Sequence, residues 1–187
     1  MELANKAHRE FLLKKIEKRA KSALGGSKFT EILCNSGPYP RRRMTKYIKQ
    51  TFGALGTSLG YWVNTHLSAY PDADDGEFLY DLVWSHTEED DAFQQFMVLE
   101  SELGVTNTGV VDDDFYKLVQ ARADVRVYIG VCNRRETAQQ HIINCKRAAS
   151  TSSGAVPGEA YVFVVWDWTT GRTIVERFYV PANRVAA

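Results

Sequence analysis

Two carboxylic acids stand where a carboxylate is costly. Asp81 interrupts the apolar run Phe78-Leu79-Tyr80-Asp81-Leu82-Val83-Trp84, and Glu100 closes the run Phe96-Met97-Val98-Leu99. Glu102 follows two residues later, so it shares a face with Glu100 if the chain stays extended. Acids gathered at the end of a sheet repel one another unless a cation offsets them. Oxygen ligands of this kind suit Mg²⁺ or Mn²⁺ rather than zinc. A lone acid at a strand end is ordinarily just solvated. Two such acids on adjacent apolar strands are harder to explain that way.

The charge is unevenly distributed along the chain. The net charge of the 187 residues is zero, yet residues 1–50 carry 13 Lys+Arg against 4 Asp+Glu. Residues 51–124 carry 2 against 15, and the remainder 8 against 4. An acidic centre that gathers divalent cations, flanked by basic arms that hold phosphates, fits this pattern; so do solvated faces of opposite sign. Arg41, Arg42, Arg43, Lys46 and Lys49 form the densest basic cluster. They can supply phosphate contacts, which carry affinity without sequence choice, or form a solvated helix face.

The elements that must position these groups follow from periodicity. Leu3, Ala7, Phe11, Leu12, Ile16, Ala20 and Leu24 predict a helix over 2–24, ended by Gly25-Gly26. A short second helix carries Glu31, and Gly37-Pro38-Tyr39-Pro40 is a break. Met44, Ile48 and Phe52 predict a third helix over 41–54. Leu59, Tyr61 and Val63 alternate with smaller or polar residues and predict a strand at 59–63, and apolar runs follow as strands at 77–84 and 95–100, joined by an acidic turn over 71–76 and a polar loop over 87–91. Short connections make these an antiparallel meander. Asp112 can cap a helix over 113–123, and the β-branched run Val125 to Val131 reads as a strand buried on both faces. That crossover places the fourth strand parallel to the third. Asn133 can cap a helix over 134–149, and a hairpin of 160–166 and 173–180 turns at Thr169-Thr170-Gly171-Arg172.

The order helix-βββ-helix-β over residues 41–131, with Asp81 followed some twenty residues later by an apolar strand ending in an acid, resembles the core of the PD-(D/E)XK nuclease superfamily. The resemblance implies an α/β (α+β) fold with a restriction-endonuclease-like mixed sheet. Residues 1–40 would be an N-terminal helical extension, and 132–187 a helix and β-hairpin completing the sheet of one domain. It implies that Asp81 and Glu100 hold Mg²⁺ or Mn²⁺ for hydrolysis of a phosphodiester, with Glu102 as a further ligand or base. The superfamily's lysine, two residues after the second acid, is replaced here by Glu102. Some branches resemble this chain in carrying the lysine on the following helix, which points to Lys117. Many members also use a helical glutamate before the sheet, which points to Glu31 as a third ligand. Gln139 and Gln140 match a position where some relatives use glutamine; surface polarity explains them equally well.

The implied partner is nucleic acid, DNA before RNA. The alternative is a non-catalytic interaction or oligomerisation protein on the same fold, with the C-terminal hairpin as a homodimer contact. Trp166 and Trp168 in that hairpin can stack on bases or pack in a core or dimer. A Mg²⁺ enzyme acting on a small phosphorylated substrate is the third reading; the basic arms suit a polymer better. The four histidines lack zinc spacing, and neither a nucleophile elbow nor a phosphate-cradling loop is present. Three cysteines without metal spacing and no evident signal peptide suggest a reducing cytoplasm. No apolar run reaches the roughly 20 residues of a membrane span.

Overall fold

The computed structural model describes residues 2–26, 29–32, 40–65, 80–85, 95–106 and 111–182. The expected break at 37–39, the acidic turn 71–76, the start of the second strand at 77–79, the loop 87–91 and Cys34 lie outside the described residues. The elements run α1 (Glu2–Leu24), α2 (Pro40–Ser58), β1 (Trp62–Asn64), β2 (Leu82–Ser85), β3 (Gln95–Thr106), α3 (Asp113–Gln120), β4 (Ala123–Cys132), α4 (Arg135–Thr151), β5 (Ala160–Asp167) and β6 (Arg172–Tyr179), with a helical turn at 29–32. The six strands form one mixed sheet in chain order, β1 to β6. β1-β2-β3 is the predicted antiparallel meander. β4 lies parallel to β3 and β5 parallel to β4, each entered through a helix, and β6 returns antiparallel.

Alternation along the central strands builds two cores. Val125, Val127, Ile129 and Val131 of β4 face Leu12, Ile16, Met44, Ile48 and Phe52 of α1 and α2. Tyr128 and Cys132 face Phe115, Leu118, Ala138 and Ile142 of α3 and α4 on the other side. The molecule is therefore helix pair, sheet, helix pair, and every residue of β5 is buried, as expected of a strand covered on both faces.

Helix ends follow local chemistry with two corrections. Pro40 begins α2, where its missing N–H costs nothing. Phe115 N–H donates to Asp112 Oδ1 (2.8 Å), so Asp112 caps α3 as predicted. Asn133 does not cap α4. The cap position is Arg134, in extended conformation and without a side-chain bond, while the Asn133 carbonyl accepts the Thr169 hydroxyl. On α1 the buried stripe includes Leu13; Ala7 and Phe11 are exposed, and Lys15 covers the Phe11 ring.

Close packing of α2 on β2 depends on Gly56. A β-carbon there would lie 2.5 Å from Trp84 Nε1, and the Trp84 ring is itself stacked on Tyr61 at 5.6 Å. Across the sheet, Arg126 is buried in β4 and donates to the carbonyls of Leu118, Ala121 and Ala123, fastening the end of α3. Its charge is met by Glu159 at 2.5 Å. Arg177 of β6 grips Glu17 and Glu10 of α1, tying the first helix to the last strand.

Candidate metal centre

Asp81 stands in a bend just before β2 rather than inside the strand as expected, and Leu82 is the first residue in register, opposite Leu99. Its carbonyl accepts the Thr65 hydroxyl (3.0 Å), which pins the bend to the end of β1. Its carboxylate is held from two sides. Lys49 Nζ lies 2.9 Å from Oδ1. Ser101 donates its backbone N–H (2.9 Å) and its hydroxyl (2.6 Å) to Oδ2.

Glu100 does not close β3. The strand continues to Thr106, paired with β4, so Glu100 sits mid-strand opposite Tyr128, and Glu102 opposite Gly130. Glu100 is 4 % exposed, and among the described residues its buried Oε1 has no hydrogen-bond partner. Burial, and then the negative charge of Asp81, push its pKa up to about 8; the Lys117 and Lys49 ammonium groups oppose the shift, and Asp114 adds to it. A desolvated acid raised further by a nearby negative charge is a group a cation would relieve.

The remaining expected ligands are arranged less favourably. Glu102 shares the predicted face with Glu100, but its Oε1 accepts the backbone N–H of Gly104. Glu31 is exposed on the turn 29–32, whose Phe29 packs edge-on against Trp166 of β5 at 6.0 Å. No contact among the described residues links Glu31 to Asp81 or Glu100, so the structure does not bring it into the group. No cluster of three His, Cys, Asp or Glu side chains gathered as for a metal is present among the described residues. Asp81 and Glu100 are the two acids left for a hard cation; the unpartnered Oε1 is the observation in favour, while full occupation of Asp81 by Lys49 and Ser101, and the alternation that puts Glu100 on the Val98 face and Ser101 on the Leu99 face, stand against it.

The basic residues divide. Lys117, in α3, pairs with Asp114 at 2.7 Å and acts electrostatically on Glu100. Lys49, expected among the phosphate-contacting residues, is 9 % exposed and belongs to the acidic site instead. Its position next to Ile48 and three before Phe52, on the buried side of α2, was the signal in the sequence. Arg41, Arg42, Arg43 and Lys46 are exposed. Arg41 Nη1 lies 3.9 Å from the place a β-carbon on Gly104 would take, so the start of α2 stands beside the far half of β3.

Two participants were missed in the sequence. Ser101 orients Asp81, and nothing distinguishes it from any polar residue between two acids. Tyr128 is the other. Its O–H donates to Asp112 Oδ2, so His141 Nε2, 3.0 Å away, donates to the phenol oxygen. Burial, then Asp112, hold the Tyr128 pKa well above its usual value. This buried chain links the cap of α3, the helix of Lys117, to α4. Gln139 and Gln140 are exposed on α4.

Among the described residues no helix is long and apolar enough to cross a membrane. No family model, no curated protein and no solved structure matches the chain.

Proposed function

We propose that the chain is a metal-dependent nuclease on a restriction-endonuclease-like core, hydrolysing phosphodiester bonds of nucleic acid in the cytoplasm. The supporting observation is Glu100: buried, partly unpartnered, and near enough to Asp81 for that charge to raise its pKa. The helix-βββ-helix-β order, with β4 parallel to β3, is consistent with that core.

Asp81 and Glu100 would hold Mg²⁺ or Mn²⁺, and Glu102 could join them by releasing Gly104. The cation would supply Lewis acidity toward water and phosphoryl oxygen. Ser101 orients Asp81, and Lys49 offsets its charge in the free protein. Lys117, whose charge already acts on Glu100, would neutralise charge developing on the phosphoryl oxygens. Arg41, Arg42, Arg43 and Lys46 would contact phosphates.

A second reading rests on a specific observation. Both Asp81 oxygens and one Glu102 oxygen are engaged within the protein, which suits a non-catalytic interaction protein. The test is thermal melting with and without Mg²⁺ or Mn²⁺, together with cleavage of plasmid, single-stranded DNA and RNA. A metal-dependent rise in Tm and cleavage, both lost in Asp81→Ala and Glu100→Ala and cleavage weakened in Lys117→Ala, is expected. A metal-insensitive Tm with no cleavage favours the non-catalytic reading.

A further inference from the structure

The parallel strands β3, β4 and β5 end on one edge of the sheet, the edge where open α/β sheets usually present ligands. One corner of it is built in an unusual way. Trp168 N–H donates to the Cys132 carbonyl (2.8 Å), and the Thr169 hydroxyl to the Asn133 carbonyl. The β5–β6 turn is thereby latched to the start of α4, so the backbone that carries Arg134 and Arg135 starts next to that of Trp168. Arg172 pairs with Asp167 in the register of the same hairpin.

The side chains at this corner are exposed, and Trp168 is 45 % exposed. Among the described residues Arg134, Arg135 and Arg172 have no carboxylate partner. In contrast, Arg126 and Arg177, on the strands either side of β5, are each paired with glutamates. Glu136 is the one nearby exposed acid on the first turn of α4.

The turn is also fixed before any ligand arrives. Buried Asp167 accepts the N–H groups of Thr169 (2.9 Å) and Thr170 (3.3 Å) and the Thr170 hydroxyl (2.6 Å). Trp168 is braced by Trp166 in an edge-on contact at 5.3 Å and 84°. A large exposed ring held in one place stacks on a ligand with little ordering cost. Exposed arginines on the segments that adjoin an aromatic platform match an unpaired nucleotide, whose base stacks while its phosphates meet the arginines.

We infer that Trp168, with Arg134, Arg135 and Arg172, binds a single-stranded segment of nucleic acid at the edge of the sheet. The inference rests on the nucleic-acid reading above and adds to it the strandedness of the substrate. From Glu100, paired with Tyr128, the corner is four residues along β4, roughly 13 Å, and two strand spacings, about 10 Å, across to β5. A short oligonucleotide spans both places, with Arg41 at the β3 end of the same edge.

The test is fluorescence anisotropy of a labelled oligothymidylate and of a blunt duplex, with the full chain in EDTA so that no cleavage occurs. Trp168→Ala should weaken single-strand binding roughly ten-fold and leave duplex binding within about two-fold. Trp168→Phe should keep most of the affinity, and Arg134→Ala with Arg135→Ala should reduce the slope of log affinity on log salt by about 1.4. Unchanged binding in Trp168→Ala, equal losses on both probes, or loss of a dimer in place of an effect on the oligonucleotide overturns the inference. Single-strand binding that depends on Trp168 without cleavage in Mg²⁺ sinks the hydrolytic reading alone. Mg²⁺-dependent cleavage indifferent to Trp168 sinks this inference alone.

Discussion

Lys49 Nζ lies 2.9 Å from Asp81 Oδ1, so a helix on one face of the sheet supplies the counter-charge for an acid in the bend before β2. The ammonium occupies a role that a divalent cation would share. Lys49→Met should destabilise the metal-free protein by about 1–3 kcal/mol; the cost is moderated because Ser101 still holds the other oxygen. Added Mg²⁺ should then raise Tm more in the variant than in the wild type. Urea midpoints and melting curves check both, and equal Mg²⁺ responses would contradict the shared role.

Glu100 should leave a mark on the pH dependence of stability. Its pKa is about 8 in the folded chain and near the ordinary carboxylate value, about 4.3, when unfolded. Between these values the native state keeps a proton that the unfolded state has lost, so stability falls as pH rises and levels off above about 8. The slope from this group is at most about 1.4 kcal/mol per pH unit. Urea midpoints in EDTA should therefore decline from about pH 5 to about pH 8 more steeply in wild type than in Glu100→Gln. Parallel profiles would show the residue ionised throughout.

Arg126 holds three carbonyls and Glu159 from a fully buried position. Arg126→Met should cost about 3–5 kcal/mol, because Glu159 and the carbonyls at the end of α3 lose their partner together. The double variant Arg126→Met with Glu159→Gln should recover part of that loss. Chemical denaturation of the two variants tests the coupling, and additive losses would refute it.

Gly56→Ala should destabilise by about 1–3 kcal/mol through overpacking against the Trp84 indole. The near-ultraviolet circular dichroism of the Trp84–Tyr61 stack should change with it. Alanine at Gly154, where an added β-carbon meets nothing within 4 Å, is the control expected to be neutral.

Much of the sheet was legible because its causes are local. The β-branched run of β4 and the apolar runs of β2 and β3 mark buried strands directly. What was misplaced has non-local causes. Ser101 and Glu102 read as the end of a strand because they are polar, yet pairing with Ile129 and Gly130 keeps them extended. Asp81 reads as a strand residue because its neighbours are apolar, yet Thr65, Lys49 and Ser101 hold it in a bend. The pairing of Lys49 with Asp81 spans 32 positions and two elements, and no spacing rule announces it. Arg126 hides inside the β-branched run of β4, and nothing in the sequence marks the carbonyls it holds.

The grip of Arg177 on Glu10 and Glu17 joins groups about 160 positions apart, although the strands themselves are laid down in chain order. During synthesis the sheet can grow by simple addition, but Leu12, Leu13 and Ile16 on the first helix have no complete cover until β5 and β6 have left the ribosome. Nascent chains arrested before residue 160 should therefore be the ones that chaperones capture and that precipitate when released.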